Sequence, residues 1–164
     1  MSVSRSRVYP QGLEEVYRRL PTEAFVAGRY RALGALDVRV SGRSIGPSGG
    51  SFDFERDVKA ELPSFARRAL GERSTLCHEE RWSPSGAGWR CDFVVAAKQQ
   101  PVRLFGVMEL SPKGEGTEHR ITLDVEVKIP LIGGKVAKWL SGNFGRNLEL
   151  ELAWNAERLA APEA

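Results

Sequence analysis

The chain has 164 residues, of which 41% are hydrophobic and 27% charged, close to the averages of folded soluble proteins. This composition excludes a disordered chain, a collagen-like repeat and a small disulfide scaffold, and the length predicts a single domain spanning residues 1–164. The net charge is only +3, and the 24 lysines and arginines are spread along the sequence, so no basic stripe indicates a nucleic-acid partner.

The first third of the sequence predicts two short helices followed by a β-hairpin. Residues 9–20 carry apolar side chains at helical spacing, and Thr22 is a suitable N-cap for a second helix. Between residues 36 and 54 the period changes, because apolar and polar residues alternate on both sides of a glycine-rich turn at 46–50. That alternation indicates two antiparallel strands.

The rest of the sequence predicts a short helix, then four strands, then a long helix. A short helix at 62–70 is followed by strands at 75–82, 89–96, 102–110 and 119–129, and then by a helix at 135–159. Gly142 and Gly145 are expected on the solvent side of this last helix. A one-faced antiparallel sheet must bury its apolar face, and the last helix is the long element available, so the fold class is α+β.

The two cysteines, Cys77 and Cys91, lie on adjacent predicted strands. Pairing about a turn at 84–88 places Cys91 opposite Arg81, about 13 Å along the strand from Cys77 at about 3.3 Å per residue. This distance is too long for a disulfide, so two free thiols are expected. No third cysteine or histidine stands near either one at the spacing of metal ligands, and no metal site is expected.

The sequence carries no sign of export, membrane insertion or a bound cofactor. The first residues lack the apolar stretch of a signal peptide, and nowhere do 18 apolar residues run together. A cytoplasmic protein without a transmembrane segment or a cofactor is therefore expected.

The order of these elements, preceded by a short strand near residues 3–8, resembles the START-like superfamily, also called SRPBCC or helix-grip proteins. The resemblance covers nearly the whole chain. Four stretches are similar to an uncharacterised bacterial branch known only as a domain of unknown function: LPSFARRALG at 62–71, ERW at 80–82, GTE at 116–118 and PLIGGK at 130–135. The superfamily includes lipid-transfer domains, pollen-allergen-like proteins and polyketide cyclases. The resemblance implies a curved antiparallel sheet of about six to seven strands around the last helix, with an apolar cavity between them.

Inward-facing side chains would form the walls of such a cavity. On the last helix, Asn143, Asn147 and Glu151 recur every four residues within the apolar face, so they should meet water, a backbone group or a ligand. The alternative is that the helix splays away from the sheet and leaves the three in solvent. The candidate ligand-binding residues are Phe52, Phe54, Phe65, His78, Trp82, Leu104, Met108, Ile121, Leu123, Val125, Leu140, Asn143, Phe144, Asn147 and Glu151.

One strand carries weak candidates for catalysis, since His78, Glu80 and Trp82 share a face. If Trp82 points inward, His78 and Glu80 do so too, and an imidazole beside a carboxylate can perform acid–base chemistry. The alternative is a surface strand. His119, at the first position of its strand, is expected to be exposed, and the sequence contains no zinc, phosphate-loop or nucleophile-elbow motif.

What the resemblance implies, together with these inward-facing residues, favours a module that binds an apolar small molecule, such as a lipid or polyketide-like compound, in an internal cavity. An enzyme of the cyclase or dehydratase kind is the first alternative, in which the enclosed substrate is turned over by His78 with Glu80, or by Asn143 with Glu151. The second is a structural or regulatory protein with a filled interior, whose protein partners the sequence does not identify.

Overall fold

The computed structural model describes residues 2–59 and 62–163, which form seven strands and four helices. In chain order the elements are β1 (Ser2–Tyr9), α1 (Leu13–Arg19), α2 (Glu23–Ala32), β2 (Asp37–Gly46), β3 (Gly49–Lys59), α3 (Ser64–Leu70), β4 (Arg73–Ser85), β5 (Gly88–Ala97), β6 (Val102–Lys113), β7 (Gly116–Val127) and α4 (Gly133–Ala160).

All seven strands belong to one antiparallel sheet in the order β1-β7-β6-β5-β4-β3-β2. Strands β2 to β7 follow one another across the sheet in sequence order, whereas β1 forms the edge beside β7. The sheet is curved, and α4 packs mainly against β1 and β7. The expected α+β class is therefore confirmed, with two short helices after the first strand and one long C-terminal helix.

The first helix starts later than its sequence pattern predicts. Tyr9 is the last residue of β1, where it pairs with Thr117 and is completely buried, and α1 begins only at Leu13. Pairing with a strand far along the chain overrides the local helical pattern here. The predicted cap of α2 is confirmed, because the Thr22 hydroxyl accepts a hydrogen bond from the Phe25 backbone N–H at 3.3 Å.

The β4–β5 hairpin has a register one residue away from the predicted one. Ser85 pairs with Gly88, so Cys91 lies opposite Trp82 and not opposite Arg81. Directly opposed residues share a face of the sheet, so Cys91 lies on the inner face with Trp82, whereas Cys77, an odd number of residues away, lies on the outer face. Both thiols are free, as expected.

The buried apolar residues form two clusters. The larger lies between the sheet and helices α1, α3 and α4. The smaller lies beneath α2, where Phe52 and Phe54 pack against each other at 5.2 Å between ring centroids and Phe54 packs against Tyr30 at 5.9 Å. The β2–β3 part of the sheet is thus covered by α2, and its two phenylalanines belong to a packed core.

Helix α4 is rotated relative to the orientation that its sequence predicts. Gly145 is buried against β1, where an added Cβ would meet the Arg5 side chain at 2.9 Å and Val3 at 3.2 Å, whereas Gly142 is exposed as expected. Phe144, predicted from the sequence to face inward, is only half-buried. The lack of a side chain at Gly145 lets α4 approach β1 closely.

Candidate functional site

Between the inner face of the sheet and α4, the described residues line an inner cavity and an outer one. The inner cavity has a volume of about 70 Å³ and is lined by α2, strands β3 to β7 and α4. The outer cavity, of about 440 Å³, lies between the α2–β2 connection, α3 and the first half of α4. Arg56, Phe144 and Asn147 line both cavities and therefore mark their boundary. The outer volume is within the range of pockets that hold small molecules.

Most of the predicted wall residues line these cavities. Those of the inner cavity are His78, Leu104, Met108, Ile121, Leu123, Phe144, Asn147 and Glu151, together with Glu80. Those of the outer cavity are Leu140, Asn143, Phe144 and Asn147. The remaining predicted residues, Phe52, Phe54, Phe65, Trp82 and Val125, line neither cavity.

Packing elsewhere accounts for the residues that lie outside the cavities. Trp82 is buried and its indole N–H donates to a carboxylate oxygen of Glu80 at 3.0 Å. Phe65 of α3 lies beneath the Lys135 ammonium group, which is 4.1 Å from the ring centroid. Val125 belongs to the larger core cluster, as the two phenylalanines of β3 belong to the smaller one. Strand parity alone does not distinguish a core residue from a cavity wall.

The polar row on α4 lines the cavities and is not left in solvent. Asn143, Asn147 and Glu151 are half-buried, with Asn143 at the outer cavity, Glu151 at the inner one and Asn147 at both. The row continues one turn further to Asn155, which is buried and also lines the inner cavity. Sequence reasoning did not identify Asn155, although the same four-residue spacing reaches it.

A chain of buried hydrogen bonds crosses one end of the inner cavity. Arg29 Nη1 donates to Asn155 Oδ1 at 3.1 Å, Asn155 Nδ2 donates to the Tyr9 hydroxyl at 3.2 Å, and that hydroxyl lies 2.9 Å from His119 Nδ1. The expectation that His119 is exposed is wrong: it is 2% exposed. Strand β7 begins three residues before it, at Gly116, and β1 pairs alongside.

Two polar atoms at this end of the cavity have no partner among the described residues. They are Nε of Arg29 and Nε2 of His119, whose side chains are 8% and 2% exposed. A buried polar group without a hydrogen bond costs about 1–3 kcal/mol, so both atoms favour a molecule that can form hydrogen bonds with them. Arg29, on a short helix between apolar residues, gave no signal in the sequence beyond its charge.

His78 and Glu80 both face the inner cavity, as their shared strand face predicts. His78 is stacked on Phe54 with ring centroids 4.3 Å apart, and its Nε2 accepts a hydrogen bond from Arg56 Nε at 2.9 Å. That bond places the imidazole proton on Nδ1 and occupies the lone pair that a general base would use. The arrangement leaves Glu80 as the group able to exchange a proton near neutral pH.

Burial sets the protonation of these groups. It holds the pKa of His78 well below its ordinary value, helped by the charges of Arg56 and Arg29, and lowers the pKa of His119 to about 3. Burial also raises the pKa of Glu80 to about 7. Near neutral pH both imidazoles are therefore uncharged, and Glu80 is partly protonated.

The curved antiparallel sheet, the long C-terminal helix and the cavities between them define a START-like, helix-grip fold. The chain belongs to the family described as Protein of unknown function (DUF2505), whose match extends over residues 4–159. No curated protein matches the chain.

Solved structures share this fold over most of their length. The protein TTHA0849 from Thermus thermophilus is 25% identical, with a TM-score of 0.72 and coverage of 100% of both chains. A START superfamily protein from Mycobacterium smegmatis is 18% identical, with a TM-score of 0.59, covering 97% of this chain and 99% of the other. A STAR-related lipid transfer protein fragment from Xanthomonas axonopodis is 14% identical, with a TM-score of 0.60, covering 93% of this chain and 84% of the other.

Across residues 2–59 and 62–163, no helix combines the length and apolar character that crossing a membrane requires.

Proposed function

We propose that this protein, as a single START-like domain, binds an apolar small molecule such as a lipid between its sheet and α4. The observation that carries the proposal is the outer cavity of about 440 Å³, which borders the inner one at three shared side chains. Aliphatic and aromatic side chains of α3, β4, β6 and α4 form much of its wall, among them Leu70, Leu76, Val102 and Trp139. Burial of apolar ligand surface against such walls provides about 25 cal/mol per Å².

The structural neighbours support the same proposal through their names, since one is a STAR-related lipid transfer protein and another a START superfamily protein. Catalysis by His78 and Glu80 ranks second, because His78 already accepts a hydrogen bond from Arg56.

The proposal is tested by filling the outer cavity and measuring the binding of N-phenyl-1-naphthylamine, a neutral probe that fluoresces in apolar surroundings. Ala97 of β5 lines the outer cavity, and Ala96, beside it in sequence, points to the opposite face of the sheet. Ala97→Phe should weaken binding about tenfold or more, and the matched control Ala96→Phe should leave it unchanged.

Trp139, in the wall of the outer cavity, supplies a local readout. Its emission should transfer energy to the bound probe, and Trp139→Phe should reduce that transfer. The proposal is wrong if the wild-type protein does not bind the probe, or if Ala97→Phe binds it as tightly as the wild type does.

A further inference from the structure

We propose that the inner cavity binds the carboxylate of an apolar monocarboxylic acid, whose apolar part lies in the outer cavity. This inference rests on the ligand-binding function proposed above and assigns the chemical class of the ligand. It is carried by the unpartnered donors of Arg29 and His119, by the charges that face the inner cavity, and by the way the two cavities meet.

The hydrogen-bond chain decides what the free atoms of the inner cavity offer. Asn155 Nδ2 donates to the Tyr9 hydroxyl, so the hydroxyl hydrogen is left to be donated to His119 Nδ1. An uncharged imidazole that accepts at Nδ1 carries its proton on Nε2. The unpartnered Nε2 of His119 is therefore an N–H donor, and the unpartnered Nε of Arg29 is another. Two buried donors without acceptors match the two oxygens of a carboxylate.

The charges around the inner cavity also favour an anion. Its lining contains two guanidinium groups, Arg29 and Arg56, and neither forms an ion pair with a carboxylate of the described residues. Two carboxyl groups face them, Glu80 and Glu151, and burial raises the pKa of Glu80 to about 7, so that it is largely neutral in mildly acidic solution. His78, His119 and Tyr30, which complete the titratable lining, are uncharged near neutral pH.

The sizes of the cavities agree with a small head and a larger apolar body. The inner volume of about 70 Å³ has room for about two water molecules at about 30 Å³ each, and thus for a group of a few heavy atoms. The outer volume of about 440 Å³ suits the apolar remainder. Because Arg56, Phe144 and Asn147 line both cavities, a ligand that occupies both passes between these three side chains.

The experiment compares dodecanoic acid with 1-dodecanol, which has the same chain without the charge, by displacement of N-phenyl-1-naphthylamine at about pH 6. The wild-type protein should bind the acid about tenfold more tightly than the alcohol. Arg29→Met should abolish this preference and leave the dissociation constant for the alcohol within about threefold. Arg31→Met, an exposed arginine on the same helix, is the matched control and should retain the preference.

A second measurement needs no variant and so does not depend on the folding of Arg29→Met. Dodecanoic acid labelled with carbon-13 at the carboxyl group, bound to the wild-type protein at about pH 6, should show the chemical shift of a carboxylate. In an apolar cavity without a cation the carboxyl group would take up a proton, and the shift of the protonated acid would overturn the inference.

The outcomes separate the two proposals. Binding of the neutral probe and of dodecanol without a preference for the acid overturns the carboxylate site and leaves ligand binding supported. An acid preference that persists in Arg29→Met also overturns it. Failure of the wild-type protein to bind the neutral probe overturns the proposed function itself.

Discussion

Replacing Glu80 with glutamine should remove a pH-dependent loss of stability. Glu80 is 6% exposed, and burial raises its pKa from 4.5 to about 7, although the Trp82 hydrogen bond and the charge of Arg29 oppose the rise. A carboxyl group whose pKa is raised by folding stabilises the folded state fully below its unfolded pKa, and this contribution is lost as the pH rises through its folded pKa. The whole pKa shift of Glu80 corresponds to about 3 kcal/mol of folding stability, of which about 2–3 kcal/mol is lost as the pH rises from about 5 to about 8.

Urea unfolding followed by tryptophan fluorescence measures this effect. The free energy of unfolding of Glu80→Gln, minus that of the wild type, should be about 2–3 kcal/mol larger at pH 8 than at pH 5. The amide oxygen of glutamine can still accept the Trp82 hydrogen bond, and the subtraction removes the titration of His78 and His119, which both proteins share. Glu79→Gln, an exposed neighbour on the opposite face, is the control. An equal difference at the two pH values would refute the reasoning.

Three further predictions concern packing, the buried polar chain and the thiols. Gly106→Ala should lower the free energy of unfolding by about 3 kcal/mol or more, because the added methyl group would overlap the backbone of β7. Gly142→Ala, whose methyl group would make only an ordinary contact of 3.9 Å with Arg146 on α4, should raise it by up to about 1 kcal/mol, and urea unfolding of both variants tests this. Tyr9→Phe removes the hydroxyl that links His119 and Asn155, and the same assay should show that the free energy of unfolding falls by about 1–3 kcal/mol. An unchanged free energy of unfolding would contradict the hydrogen-bond chain. Iodoacetamide should label Cys91, fully buried with its thiol pKa raised by burial, at least about tenfold more slowly than the half-buried Cys77 in the native protein, as peptide mass spectrometry will show.

Local patterns predicted the elements well because their side-chain periods are set by the elements themselves. The alternation at 119–129 corresponds to β7 (Gly116–Val127), and the helical pattern at 135–159 corresponds to α4 (Gly133–Ala160). The β4–β5 register was misplaced by one residue, because the sequence shows a turn but not the pair of residues that closes it. A different error concerns Tyr9, which was predicted in a helix but lies in β1. Its local pattern is helical, but pairing with Thr117, far away in sequence, holds it in a strand.

The candidate site was predicted less completely than the fold. Three polar side chains spaced four residues apart on α4, Asn143, Asn147 and Glu151, were visible, since amphipathic periodicity reveals a polar residue on an apolar face. Arg29 was not, because nothing local distinguishes a buried charged side chain from an exposed one. His119 shares the strand face of Ile121, but its place at the start of the predicted strand favoured exposure. Their burial depends on how α2, β1 and α4 come together around the sheet, which the order of the elements alone does not determine.

The position of β1 has a consequence for how the chain folds. The hydrogen bond between Tyr9 and His119 joins residues 110 positions apart, and the β1–β7 ladder beside it brings together the same distant segments. Closing so large a loop costs entropy before its contacts form, so we expect this edge to assemble late and slowly. On a ribosome, β1 must then wait, unpaired, until most of the polypeptide has been synthesised, and the buried polar chain that it completes is among the last parts of the molecule to form.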